Sequence, residues 1–134
     1  MKRLACVASV LAVLVMAAGA DDSETQTAKQ LMNKLHKGAN APLTRLKTAL
    51  KSDAPDWKQV QDASKELVVL GAGLPQTEPA KGDRANFQKL ATAYYDDARS
   101  LDDAAKNENK ALAQAALGKL GASCKACHTA HKGK

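Results

Sequence analysis

The helical spacing of its apolar residues is the feature that most constrains the fold of this chain. From about Ser23 onward, apolar residues recur at intervals of three and four in four successive stretches. This spacing is the period of an α-helix rather than of a strand. Ala, Lys and Leu are abundant, whereas aromatic residues make up only 3% of the chain, and this balance also favours helix. With 134 residues, a single all-α domain is predicted, and a multidomain enzyme is excluded.

The first twenty residues are predicted to be a cleaved signal peptide. Lys2 and Arg3 form a short basic start, residues 4–17 are apolar apart from Ser9, and Ala18-Gly19-Ala20 has the small residues of a cleavage site. The apolar run is short for a membrane span, which needs about 20 residues, so an uncleaved anchor is the weaker alternative. We expect a mature domain of residues 21–134, periplasmic or secreted, without an integral membrane segment.

Cleavage after Ala20 would remove Lys2, Arg3 and Cys6. The mature chain would keep 18 basic and 14 acidic residues, with no run of five like charges. This weak and dispersed basic charge indicates a solvated surface, and no nucleic-acid partner is predicted. Only two cysteines would remain, which excludes a disulfide framework.

Four helices are predicted in the mature domain. The first covers about residues 23–50, with a Ser23/Gln26 capping box and a kink or break between His36 and Pro42. The second begins near Asp53 or Pro55 and ends at residues 71–75, the third covers about 83–105, and the fourth begins near Asn107. Short connections make an antiparallel four-helix bundle the expected architecture. Acidic pairs at 96–97 and 102–103 are expected on an exposed face of the third helix.

A C-x-x-C-H motif lies near the C-terminus, at Cys124, Cys127 and His128. This motif is typical of covalent haem c attachment. Positions i and i+3 share one helix face, so both sulfurs can reach the two vinyl groups of one haem. The imidazole of His128 follows directly and is predicted to be the proximal iron ligand.

Three other interpretations of the cysteine pair remain open at this point. A thioredoxin-type dithiol requires a helix N-terminus after a strand, and no strand is predicted before Cys124. A zinc site formed by Cys124, Cys127, His128 and His131 would crowd all its ligands onto one helix. A simple disulfide is the third alternative. We expect His131 to lie in solvent, one turn beyond the motif.

The position of the motif resembles that in class II cytochromes c of the cytochrome c prime type. A single C-x-x-C-H stands within ten residues of the C-terminus, after a four-helix pattern, and residues 31–38 are similar to the first helix of a bacterial branch. Phe87 stands where that branch usually has Trp, after the Pro-x-Lys-Gly-Asp loop. The resemblance implies one covalent haem c, with its iron, in a four-helix bundle. Class II bundles often dimerise, and a monomer or weak homodimer is expected.

The resemblance also implies that the first helix covers the distal face of the haem. In the family, a methionine there gives a six-coordinate electron carrier, whereas a bulky apolar residue leaves a five-coordinate iron that binds small gases. Met32 and His36 lie four residues apart and are the candidate distal ligands. Met32 is favoured because it is in phase with the apolar stripe, whereas His36 needs a partner for its second ring nitrogen.

The predicted function is therefore one-electron transfer by an exported monohaem cytochrome. The alternative is a five-coordinate haem protein that binds or detoxifies NO or CO. No Ser/His/Asp set or glycine-rich phosphate loop is found, so the chain is not expected to be an enzyme. Redox partner proteins are expected, and exposed lysines near the motif are candidates for docking an acidic partner: Lys119, Lys125, Lys132 and Lys134.

Overall fold

The computed structural model describes residues 26–133. The predicted signal peptide, Ser23 and Lys134 lie outside these residues. Five α-helices follow one another, with a 3-10 turn at Leu74–Gln76, and no strand occurs within residues 26–133. The prediction of an all-α fold is confirmed. The α-helices are α1 (Ala28–His36), α2 (Pro42–Ala49), α3 (Trp57–Gly71), α4 (Arg84–Lys106) and α5 (Lys110–His131).

The first predicted helix is two helices, α1 and α2, joined by residues 37–41. Gly38 has a φ of +95°, which favours glycine, and Pro42 is the first residue of α2, where it needs no intrahelical partner. The predicted break between His36 and Pro42 is therefore confirmed. Helix α1 begins at Ala28, later than the predicted start near residue 23, and Thr27 forms a capping box with Gln30. Ser23 of the predicted capping box lies outside the described residues.

The remaining helices begin at side chains that accept a bond from the third helical amide. Asp56 caps α3 by accepting from the Gln59 amide, so the predicted start near Asp53 or Pro55 is wrong by a few residues. Asp83 and Asn109 cap α4 and α5 in the same way. A cap must reach the amide three residues ahead, and this geometry selects Asp56.

Helix α4 is central to the packing, because it contacts α3 on one side and α5 on the other. Helix α1 packs on α2 and α3. The Gln114 amide on α5 donates to the Leu50 carbonyl at the end of α2, at 2.9 Å. The core consists of leucines and alanines around Phe87 and Tyr94. The largest fully buried side chains include Leu35, Leu46, Leu50, Leu67, Leu101 and Leu120.

One buried polar pair joins α3 to α4. The Ser64 hydroxyl donates to Asp102 Oδ1 at 2.7 Å, and the Asp102 carboxylate also meets Lys106 Nζ at 2.6 Å. The expectation that Asp102 is exposed is wrong, because Ser64 and Lys106 satisfy the carboxylate and allow its burial. Among residues 26–133, each helix is too short or too polar to span a membrane.

Candidate functional site

The last two turns of α5 carry the C-x-x-C-H motif. Cys124 and Cys127 are free thiols and are half-buried. The Cys124 thiol donates to the Leu120 carbonyl at 3.4 Å. Burial, followed by the proximity of Cys124, raises the pKa of the Cys127 thiol. Both sulfurs therefore lie on one face of the helix, at its boundary between core and solvent.

One edge of α5 continues this face toward the middle of the helix. Leu117, Gly121, Cys124 and His128 share the edge by their spacing of three and four residues. Leu117 is half-buried against the core, whereas Gly121 and His128 are exposed. Within residues 26–133, no atom other than the nearby backbone of α5 and the two neighbouring residues lies within 4 Å of the position that a Cβ on Gly121 would take. The edge is open to a flat group that would cover both sulfurs.

Helix α1 presents a matching edge of half-buried residues. Ala28, Met32 and His36 recur at every fourth position and are all partly buried. Ala28 and Met32 pack against the apolar core. Met32 and His36 therefore share a face of α1, as the sequence spacing predicts.

His36 connects this edge of α1 to α4. Its Nε2 lies 3.2 Å from the Tyr94 hydroxyl, and the two rings meet edge to face at 5.9 Å between centroids. Burial lowers the pKa of His36, and electrostatic interactions with Lys47 and His128 lower it further. When the neutral ring carries its proton on Nδ1, Nε2 accepts a hydrogen bond from the Tyr94 hydroxyl.

The motif on α5 acts electrostatically on His36 of α1 and on Tyr94 of α4. His128 contributes to the lowered pKa of His36. Burial raises the pKa of Tyr94, and Cys124 raises it further. Tyr94 is buried on α4 and is hydrogen-bonded to His36. The residues of this region fit a haem: two thiols one turn apart, an imidazole beside them, an open helix edge, and Met32 or His36 on α1.

His131 is separated from this group. It is only 5% exposed, and its ring nitrogens lie 3.0 Å from the Lys81 carbonyl oxygen and 2.8 Å from Asn86 Oδ1. The expectation that His131 lies in solvent is wrong, because the loop before α4 covers it. Within residues 26–133, no group of three or more His, Cys, Asp or Glu side chains is arranged to hold a metal ion, so the zinc set is not brought together.

The lysines expected near the motif are exposed where the structure describes them. Lys119, Lys125 and Lys132 face solvent, whereas Lys134 lies outside the described residues. Sequence reasoning missed two residues that meet the end of α5: Asn86, which pairs with His131, and Gly82, whose backbone lies against the Ala130 carbonyl. The only sequence signal for Gly82 and Asn86 was the Pro-x-Lys-Gly-Asp loop, and no local pattern indicated that it packs against the end of α5.

Comparison with known proteins identifies the part of the chain that carries the motif. Residues 82–132 match the family model described as Cytochrome C'. The resemblance to the class II cytochromes c is confirmed. No curated protein and no solved structure gave a match.

The Cytochrome C' match covers α4 and α5 together with the contact between Gly82 and the end of α5. It therefore includes the cysteine pair, His128 and Tyr94. Helices α1 to α3 lie outside the matched range, and so do Met32 and His36. The similarity to Cytochrome C' therefore rests on α4 and α5, and the helices that carry Met32 and His36 are outside it.

Proposed function

We propose that this chain is an exported monohaem c-type cytochrome that transfers single electrons. The observation that carries the proposal is the placement of Cys124 and His128 on one open edge of α5, with Cys127 on the same face, within a segment that matches Cytochrome C'. Each thiol would add its S–H across one vinyl group of the same porphyrin and form a thioether. When bound, the haem iron supplies the one-electron redox couple.

The residues around the motif would have distinct roles. His128 would ligate the iron from the proximal side, since its ring is exposed on the same edge as Cys124. Leu117 would pack against the porphyrin, and Gly121 would let it approach the helix closely. Helices α1 and α2 would act together as the first member of an antiparallel four-helix bundle that encloses the haem.

We propose Met32 as the distal iron ligand and His36 as the alternative. The two side chains share one edge of α1, but Nε2 of His36 is bonded to Tyr94. Met32 packs against apolar residues, and a thioether leaves no second polar atom to satisfy. This arrangement supports a six-coordinate carrier without a reaction of its own. Lys125 and Lys132, both exposed beside His128, would dock an acidic redox partner.

Binding of a small gas such as NO or CO is the second candidate function. The observation that favours it is the His36–Tyr94 pair, which would offer a polar group to a bound diatomic molecule if Met32 stays in the core. The iron would then be five-coordinate and open on the α1 side.

The attachment proposal is tested with cysteine variants. In the wild-type protein we expect one haem that remains bound after denaturation and acid-acetone extraction. Cys124→Ala and Cys127→Ala should each leave at most one thioether, and the double variant should lose covalent haem. Thr129→Ala changes an exposed residue next to His128 and should attach haem normally. Extraction of all haem from the wild-type protein would contradict the proposal.

The distal ligand is tested by comparing Met32→Ala with His36→Ala. With Met32 as ligand, the wild-type protein has a low-spin spectrum that CO does not change. Met32→Ala should become high-spin and bind CO, and His36→Ala should keep the sulfur-to-iron band of the oxidised form. Loss of the low-spin spectrum in His36→Ala alone would identify histidine ligation. A wild-type spectrum that is high-spin and shifts with CO would establish the gas-binding alternative.

A further inference from the structure

The last turn of α5 is hydrogen-bonded to the loop that precedes α4. His131 ends the helix and is buried. Its Nδ1 lies 3.0 Å from the Lys81 carbonyl oxygen, and its Nε2 lies 2.8 Å from the Asn86 side-chain oxygen. The imidazole also meets Phe87 edge to face, at 5.4 Å between ring centroids. One side chain therefore contacts the loop and the first turn of α4 together.

Both ring nitrogens of His131 are paired in this arrangement. The Nδ1–H group donates to the Lys81 carbonyl. The Asn86 amide has both a donor and an acceptor group at its end, so it pairs with Nε2 whether or not that nitrogen carries a proton. A buried imidazole with both nitrogens paired has no polar group that would draw it into solvent.

The loop backbone approaches α5 too closely for a side chain at Gly82. A Cβ at this position would lie 2.6 Å from the Ala130 carbonyl oxygen and 2.9 Å from His131 Nδ1. Gly82 also has a φ of +83°, which residues with a Cβ rarely adopt. The contact therefore depends on glycine at 82 as well as on histidine at 131.

These contacts of His131 restrain the turn of α5 that carries His128. Helix ends fray, and the last turn opens more readily than the middle of a helix. The His128 carbonyl accepts from the Lys132 amide at 3.1 Å, whereas the His128 imidazole is exposed and has no hydrogen bond within residues 26–133. The backbone of this turn, rather than the surroundings of the imidazole, therefore determines the direction of the His128 side chain.

We propose that His131 is a positioning residue for His128. With Lys81, Gly82 and Asn86, it clamps the last turn of α5 and holds the His128 imidazole at the angle from which it ligates the haem iron. This inference rests on the proposed function, because it concerns a bound haem. It adds a role for a histidine that does not ligate iron.

The test compares haem-loaded His131→Ala, His131→Gln and Asn86→Ala with the wild-type protein. We expect His131→Ala to keep both thioethers but to change the iron–imidazole signals in resonance Raman and electron paramagnetic resonance spectra and to shift the midpoint potential. Asn86→Ala should shift the iron–imidazole signals and the midpoint potential in the same direction but by less, because it removes only the bond to His131 Nε2. Gln at 131 can still donate to one carbonyl and should restore part of the signal. Backbone amides of residues 128–132 should exchange about tenfold faster in His131→Ala.

Ser64→Ala is the control for a general loss of stability. This substitution removes the hydrogen bond between Ser64 and Asp102 that joins α3 to α4. Ser64 does not contact His131 or its partners, so the midpoint potential and the iron–imidazole signals should be unchanged. If His131→Ala and Asn86→Ala match this control in both readouts, the positioning role is wrong. If His131→Ala does not fold, Asn86→Ala alone decides, because Asn86 is exposed. A wild-type protein that holds no covalent haem would instead overturn the proposed function, and this proposal with it.

Discussion

The fold excludes a side chain at Gly82 but has room for one at Gly118. Gly82 has a positive φ and lies against the Ala130 carbonyl. Gly118 lies in the middle of α5, and in the described part of the chain no atom beyond its neighbours and the nearby helix backbone is within 4 Å of the position that a Cβ would take. Backbone conformation and space therefore forbid a side chain at 82 and permit one at 118.

Alanine at these two positions should have effects of opposite sign. We expect Gly82→Ala to lower the free energy of unfolding by about 1–3 kcal/mol, since strain at a positive φ costs this much before the collision is counted. Gly118→Ala should raise it by up to ~1 kcal/mol, the difference in helix propensity. Urea denaturation measures both. Equal changes in the two variants would contradict the described contact at Gly82.

At the scale of helices, the Ser64–Asp102 pair holds α3 against α4. Ser64 is fully buried, and the Asp102 side chain is 10% exposed. Ser64→Ala would leave the Asp102 carboxylate without its 2.7 Å donor. We expect a loss of about 1–3 kcal/mol in the free energy of unfolding. Asp103→Ala, at a carboxylate that is 73% exposed, should change it by less than about 0.5 kcal/mol. The prediction fails if the two variants unfold at the same urea concentration.

The contact between α1 and α4 predicts a pH dependence of stability in the chain without haem. Burial, Lys47 and His128 lower the pKa of His36 from 6.5. The unfolded chain then binds the proton more readily, so stability is fully present above pH 6.5 and is lost as the pH falls from there through the folded pKa. A Cys124→Ala/Cys127→Ala double variant provides the haem-free chain for urea titrations.

Adding His36→Gln to this variant should weaken the loss of stability at acid pH. Adding Tyr94→Phe should preserve the direction of the pH effect, because burial is the largest cause of the shift and the ring remains buried. If the pH profile of stability is unchanged in the His36→Gln variant, His36 is not the cause of the pH dependence.

At the scale of the whole molecule, export and haem attachment should appear together in the mass of the mature protein. The proposed cleavage after Ala20 gives a chain that begins at Asp21, so intact-mass analysis should find residues 21–134 plus one haem. Replacing Ala18 or Ala20 with a bulky residue should block cleavage, because the site requires small residues. A mature chain that begins at Met1 would contradict the prediction.

Much of the fold followed from local patterns along the chain. The 3-4 spacing of apolar residues predicts an all-α chain, Pro42 and Gly38 predict the break between α1 and α2, and Asp83 begins α4 as expected. The exact starts of α1 and α3 were missed because several nearby side chains can cap. Only backbone geometry determined that Thr27 and Asp56 reach the third amide.

The sequence by itself determined the C-x-x-C-H motif and the helix that carries it, because the motif and its spacing are contiguous in the chain. Tertiary structure alone decided the surroundings. His131 meets Lys81 across 50 positions, Ser64 meets Asp102 across 38, and His36 meets Tyr94 across 58. A periodic pattern indicates which face of a helix is apolar, but a polar side chain becomes buried only when a distant segment supplies its hydrogen-bond partner. His131 and Asp102 were expected in solvent for this reason, since their partners come from other helices and loops.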